Sequence, residues 1–426
     1  MKDAGAERFY AKRLAPNDNS KNQVYLGGGF EALNIIPHGD IETDISIRAG
    51  SIRRRDKAPV RFYWIDSQGL SAAPHAQLIL YPKYPEVRMS GFLRDSPNAP
   101  NELMASRDEG RVLFLGVFPD GTVVGYVSDA ASDVARELDS DGPYSPEGVF
   151  LNLTRLTLAN KADPLETLLE RLRTIHDRGS IPGQRLYSDG IIRPYSAQNG
   201  GGYTLEAELG IIPNGRAEPD FLGWEIKQFA VNNFADRKAT SPVTLMTPEP
   251  TVGIYVDSFA DFMRLYGYDD KKGRPNRRNF GGIYRCHGAQ HADTGVRMVM
   301  QGYNSRRGII DDMEGFVALV DGRDQIAAGW TFKDLLNHWN RKHAQAAYVP
   351  SVAHGNPRGY HYGREIKLGR GTDFLRFVRM FDTGSVYLDP APKIENGKIK
   401  KRNQFRVSHG NLGDLYVAFG PRDIFT

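Results

Sequence analysis

Residues 218–227 read Glu-Pro-Asp-Phe-Leu-Gly-Trp-Glu-Ile-Lys, and they constrain the fold more than any other stretch of the chain. From Trp224 onward the side chains alternate as in a strand. Trp224 and Ile226 face a core, while Glu225 and Lys227 share the opposite face. Asp220 has the parity of the core face, so the chain must bend or bulge before Glu225 if the two carboxylates are to meet. Gly223 is the residue that permits this.

Two carboxylates beside a lysine suit the hydrolysis of a phosphodiester. That reaction needs a positioned water, compensation of charge on the non-bridging oxygens and a stabilised leaving alkoxide. Mg²⁺ takes a few carboxylate ligands and keeps several waters, so Asp220, Glu225 and the backbone carbonyl of Ile226 form a candidate cradle for it. Lys227 beside them is placed to orient or help deprotonate the water and to offset charge. The spacing alone also describes an ordinary strand with Glu and Lys at its edge. Three features favour the catalytic reading: Pro219 before the aspartate, the alternation of Trp224 and Ile226 with the charged pair, and Glu206 on a predicted short helix upstream.

With 426 residues the chain has room for two ordinary domains. Residues 1–155 read as mainly β, a small barrel or sandwich. Apolar runs at 77–81, 111–117 and 122–126 are divided by turn residues, and Pro119-Asp120-Gly121 forms a hairpin. A Pro/Gly/Ser-rich passage at 140–148 and the polar stretch 159–162 bracket the boundary, with 156–162 as the linker. Residues 163–426 read as mixed α/β. Asp163-Pro164 opens an amphipathic helix on Leu165, Leu168, Leu169, Leu172 and Ile175, closed by Gly179. Asn199 to Gly202 reads as a flexible glycine connector or a close approach to phosphate, and Thr204 as the cap of a short helix carrying Glu206. Helices are expected at 257–268 and 331–343, and strands at 296–300, 315–320 and 415–419.

No run of about 18 apolar residues is present to cross a membrane, and the cytoplasm is the expected compartment. Cys286 is the single cysteine, which excludes an intramolecular disulfide framework and a cysteine-rich zinc site. His287 and His291 near it make only a weak zinc set. The net charge of +4 establishes no nucleic-acid partner unless the charge is clustered.

The run Gly202-Tyr203-Thr204-Leu205-Glu206 through Glu218-Pro219-Asp220 to Trp224-Glu225-Ile226-Lys227 resembles the PD-(D/E)XK nuclease core of the MvaI/BcnI family of type II restriction endonucleases. It is also similar to the mismatch-repair nicking endonuclease MutH. The resemblance covers roughly residues 163–426. It implies that Asp220 and Glu225 hold Mg²⁺, that Lys227 is the catalytic lysine and that Glu206 is an accessory acid. It further implies that a monomer cleaves short double-stranded DNA sites of the CC(A/T)GG or CC(C/G)GG kind.

Reading G·C pairs favours Arg and Lys in the major groove, helped by Asn, Gln and Asp. Two segments carry that kit. The first holds Arg277, Arg278 and Asn279; the second runs from Asp389 through Lys400 and Arg402 to Gln404 and Arg406. The second also resembles the family's C-terminal recognition region. In the first domain, residues 81–92 resemble the B3-like effector domains of type IIE enzymes, which bind a second copy of the target. Lys83, Glu86, Arg88 and Arg94 are the contacts expected there, and a structural β domain is the rival. A second basic cluster, Arg48, Arg53, Arg54, Arg55, Lys57 and Arg61, lies in the same domain. The expected activity is Mg²⁺-dependent, site-specific cleavage of double-stranded DNA. A nicking repair nuclease and a catalytically silent DNA-binding protein are the alternatives.

Overall fold

The computed structural model describes residues 1–16, 23–48, 51–138, 144–154, 163–213, 219–235, 239–342 and 344–426, without side-chain detail at 46–48, 51–53, 145 and 340–342. Glu218, His343, residues 140–143 and the expected linker 156–162 lie outside the described residues, as do the side chains of Arg48 and Arg53. The chain divides into two compact units, Met1–Asp163 and Pro164–Thr426. No described helix is long and apolar enough to cross a membrane.

Alternating apolar residues make the first unit a β structure which, among the described residues, has two sheets, one of seven strands and one of five. In the larger sheet Val112–Val117 lies antiparallel between Arg8–Arg13 and Val123–Ser128. The turn joining Val112–Val117 to Val123–Ser128 places Gly121 at φ +80°, and its N–H donates to the Phe118 carbonyl at 3.0 Å. In the smaller sheet Gln77–Tyr81 lies between Ser51–Pro59 and Glu86–Ser90.

The second unit is organised around the strand Gln345–His354. Glu225–Ala230 pairs with one edge of it in parallel. Gly359–Tyr362 and Glu365–Thr372 take successive halves of the other edge, antiparallel. Ile181–Pro182 and Tyr416–Asp423 extend the sheet beyond them. One face of this sheet is apolar because the helix Pro164–Asp177 must bury its leucine stripe. Leu165, Leu168, Leu169, Leu172 and Ile175 share a core with Trp224, Ile226, Ala347, Val349 and Ile366. Each buried leucine contributes about 1.5–3 kcal/mol. Strand alternation then leaves Glu225, Lys227, Tyr348 and Lys367 on the opposite face.

The glycine run is not a flexible connector. Gly200–Glu208 is one helix, and its first turn is made of those glycines. A Cβ on Gly200 would stand 2.5 Å from the Tyr360 hydroxyl, and one on Gly201 would lie 3.1 Å from the Gln228 side chain. The missing side chains let the helix lie close against the sheet. Thr204 does not cap that helix. Its hydroxyl accepts from Gln184 N–H at 3.0 Å and donates to the Gln184 carbonyl at 3.3 Å, tying the helix to the neighbouring strand Gln184–Leu186.

Candidate active site

The bend that Asp220 requires is a hairpin turn rather than a bulge. Phe221 and Trp224 exchange both backbone hydrogen bonds, at 2.9 and 2.8 Å. Between them Leu222 and Gly223 have φ of +47° and +85°, so both central residues are left-handed. Gly223 adopts this conformation without penalty, whereas the exposed Leu222 costs about 1 kcal/mol to hold there. The turn folds Asp220 back against the start of the strand, where its Oδ2 accepts the Ile226 N–H at 3.0 Å.

Glu225 and Lys227 then meet on the face away from the core. Lys227 Nζ donates to Glu225 Oε1 at 2.5 Å, and Glu225 is 1% exposed. Burial alone would lower the pKa of the Lys227 ammonium. The charges of Glu225, and then of Asp220 and Glu206, outweigh burial and hold it above the usual lysine range. Glu206 reaches the same electrostatic neighbourhood from the helix Gly200–Glu208. Asp220, Glu225, Lys227 and Glu206 are thus gathered from two segments, the hairpin stretch 220–227 and the helix Gly200–Glu208. The carbonyl of Ile226 belongs to the residue whose N–H holds Asp220.

Four further side chains line this face without having been legible in the sequence. Tyr348 is the register neighbour of Lys227 on one side and of Lys367 on the other. Its hydroxyl lies 2.8 Å from that of Tyr416. Burial raises the pKa of both phenols, and the Glu225 charge raises it further. Lys367 Nζ lies 3.5 Å from Nδ1 of His409, whose ring packs on Phe229 with centroids 4.1 Å apart. Burial first, and then Lys367, pushes the His409 pKa down to about 4. These neighbours are set by tertiary pairing, and no local spacing announces them.

Parts of the two segments expected to read bases come together in one four-stranded sheet, whereas Arg406 lies on Phe405–Val407 of a separate three-stranded sheet. Arg277–Asn279 pairs with Lys393–Glu395, which pairs in turn with Lys398–Lys400. Their side chains have different employments. Arg278 donates to the carbonyls of Met263, Arg264 and Gly267 and to Asp269, so it closes the C-terminal end of the helix Phe259–Tyr266. Arg277 is held by Glu395 at 3.1 Å and by Asn279 at 3.0 Å. Arg406 Nη1 donates to Asp389 at 2.6 Å, and Gln404 is buried with its amide on Thr244 at 3.3 Å. Lys400 and Arg402 are exposed.

In the first unit Lys83 and Tyr84 are exposed at the tip of the hairpin formed by Gln77–Tyr81 and Glu86–Ser90. Arg88 lies over the Tyr81 ring at 5.1 Å and pairs with Glu86 at 2.7 Å. Arg94 is exposed and, with His75, Gln77 and Asn101, lines a groove of ≈ 730 Å³. Lys57 pairs with Asp44, and Arg61 pairs with Asp120 at 2.8 Å, so part of the second basic cluster is neutralised within the unit.

A chain whose sheet edge gathers a buried glutamate, further carboxylates and a lysine, with a basic sheet in the same unit, belongs to the site-specific DNA endonucleases when its relatives are considered. The profile of the MvaI/BcnI restriction endonuclease family matches residues 169–416, more than half of the sequence, and the chain belongs to that family. Among solved structures it is similar to the restriction endonuclease MvaI in complex with its cognate DNA substrate, at 18% identity and a TM-score of 0.47, covering 62% of this chain and 99% of that one. MvaI in the absence of DNA is similar at 17% identity and a TM-score of 0.34, covering 61% of this chain and 98% of that one. No curated protein matches the chain.

Proposed function

We propose that the second unit is a PD-(D/E)XK nuclease domain that hydrolyses phosphodiester bonds of double-stranded DNA at a short CC(A/T)GG- or CC(C/G)GG-like site, using Mg²⁺ held by Asp220, Glu225 and the Ile226 carbonyl. The observation that carries this reading is the Leu222-Gly223 turn, which brings Asp220 onto Ile226 N–H beside the Glu225–Lys227 pair. The donor set is all oxygen, with two carboxylates and a carbonyl, and so suits a hard cation. When bound, the ion supplies charge neutralisation at the phosphate and acidifies a coordinated water.

The chain's own residues supply the rest. The Ile226 N–H fixes the Asp220 carboxylate so that it does not have to be ordered when substrate arrives. Lys227, kept as an ammonium by its carboxylate neighbours, donates to the attacking water or to a phosphate oxygen and offsets the charge that builds there. Glu206 adds a further negative charge that keeps Lys227 protonated. Lys400 and Arg402, exposed on and just after the basic sheet, meet the DNA directly. Arg277, Arg278, Asn279, Asp389, Gln404 and Arg406 shape the surface that reads the bases.

Incubating plasmid DNA with the protein and Mg²⁺ tests the reading. Discrete fragments are expected, and mapping their ends gives the recognition site. Accumulation of nicked circles would favour a MutH-like repair nuclease, and binding without cleavage would make the domain a silent module.

For the first unit we propose the role of a B3-like domain that binds a second copy of the target through Lys83, Glu86, Arg88 and Arg94, raising local DNA concentration or gating cleavage. The exposed Lys83–Tyr84 hairpin tip and the Arg94 groove support it. Residues 160–426 alone are expected to cleave DNA but to lose any preference for two-site over one-site plasmids. Identical behaviour of both forms on both substrates would remove the effector role.

A further inference from the structure

Cys286, the single cysteine, is not inert filler in the core. It is followed directly by His287, and consecutive residues in an extended chain point to opposite sides. Here His287 has φ +60°, a left-handed conformation that turns its ring back to the side of the Cys286 thiol. Asp382, the last residue of the helix Phe374–Asp382, comes to the same place. The thiol, an imidazole nitrogen and a carboxylate oxygen of these three residues all lie within 4.8 Å of one another. Nε2 of His287 lies 2.9 Å from Oδ1 of Asp382. His291, the other histidine of the set considered from sequence, packs instead against the ring of Tyr284.

We propose that Cys286, His287 and Asp382 bind one divalent transition-metal ion of the zinc type, distinct from the Mg²⁺ site. The chemistry of the donors selects the class of ion. A thiolate and an imidazole are poor partners for Mg²⁺ and good ones for Zn²⁺ or Co²⁺. On binding, the Cys286 thiol releases its proton to solvent, His287 binds as the neutral ring and Asp382 as the carboxylate. Two negative ligands then balance the dication and leave the site neutral. Because Cys286 is buried and His287 is two-thirds exposed, the remaining coordination position faces water. The ion also answers an electrostatic oddity. A carboxylate at a helix C-terminus sits at the negative end of the helix dipole, and a cation there removes the repulsion. Without an ion the Cys286 thiol stays protonated, its pKa pushed up to about 11 by burial and by Asp382.

The position of the three donors gives the ion a structural task. Tyr284 exchanges backbone hydrogen bonds with Leu388 at 2.9 and 3.0 Å, and Cys286 bridges to Met298. Leu388 leads into Asp389 and on to the strand Lys393–Glu395 of the basic sheet. A metal at Cys286 would therefore clip the end of the helix Phe374–Asp382 to the connector at the base of that sheet.

The test uses the full-length protein, stripped of metal by a chelator and titrated with Co²⁺ alone. A thiolate-to-cobalt charge-transfer band that saturates at one equivalent is expected. Cys286→Ser should abolish the band, and His287→Ala and Asp382→Asn should each weaken Co²⁺ binding by at least about tenfold, the low end of what even outer-shell partners contribute. Glu225→Gln should leave the band unchanged, since carboxylates give no thiolate transition, and this separates the site from the nuclease centre. Absence of the band in the wild-type chain, with Cys286 shown to be reduced by thiol titration in denaturant, would overturn the proposal. So would a band indifferent to both His287→Ala and Asp382→Asn, leaving an ordinary His287–Asp382 ion pair beside a buried thiol.

Discussion

The strand Glu225–Ala230 and the basic sheet built on Arg277–Asn279 and Lys393–Glu395 both concentrate charge, and they treat it in opposite ways. At the strand the charges are drawn inward. Glu225 is buried, Lys227 is confined beside it, and Asp220 is held by a backbone N–H, so the Lys227 ammonium is held by its carboxylate neighbours. In the sheet most of the formal positive charge is engaged by the protein itself, as Arg278 is on helix carbonyls and Arg277 and Lys393 are on Glu395. What reaches solvent is a short rim that includes Lys400 and Arg402. Charge that performs chemistry needs a low-dielectric setting and fixed geometry, whereas charge that meets a polyanion needs access. A count of basic residues in the sequence cannot tell one use from another.

Four substitutions sharpen that contrast, in descending order of expected effect. Glu225→Gln should lower the cleavage rate by about 10²-fold or more, because it removes a charge on which both the metal cradle and Lys227 depend. DNA binding measured by gel shift should survive. Arg278→Ala should act on stability, lowering it by about 1–2 kcal/mol in denaturant unfolding as helix carbonyls lose a charged donor. If it instead left stability unchanged and relaxed sequence preference, the division between engaged and exposed charge would fail. Lys400→Ala should weaken binding to specific and random DNA alike and reduce the slope of log affinity against log salt by roughly one. Leu222→Asn should raise stability by several tenths of a kcal/mol, up to ~1, with cleavage retained, since asparagine tolerates the left-handed conformation that leucine resists.

The geometry of the candidate catalytic stretch was legible because strand parity and the Asp220, Glu225 and Lys227 spacing are local facts. The helix Pro164–Asp177 was legible because its leucine stripe repeats at the helical period. The strand at the centre of the sheet, Gln345–His354, was not. Pro350 interrupts it as a strand signal, and its partners, such as Glu225 for Ala346, are remote in sequence. The turn at Leu222-Gly223 was only half legible. Glycine announces the bend, but leucine is no turn residue, and a bulge therefore looked as good as a hairpin. The glycines at 200 and 201 were misread for a similar reason, since the ring they accommodate, Tyr360, arrives from a distant strand. That Arg278 closes a helix end was not legible, because nothing near it in sequence reveals that end.

The most direct test of the account is Mg²⁺-dependent cleavage of a plasmid by Lys227→Ala, compared with the unaltered chain, with DNA binding measured on the same preparations. The account predicts that the unaltered chain yields discrete fragments, while the variant binds DNA with similar affinity and leaves the plasmid intact. Fragments produced at an unchanged rate by Lys227→Ala would contradict the assignment of Asp220, Glu225 and Lys227 as the catalytic centre.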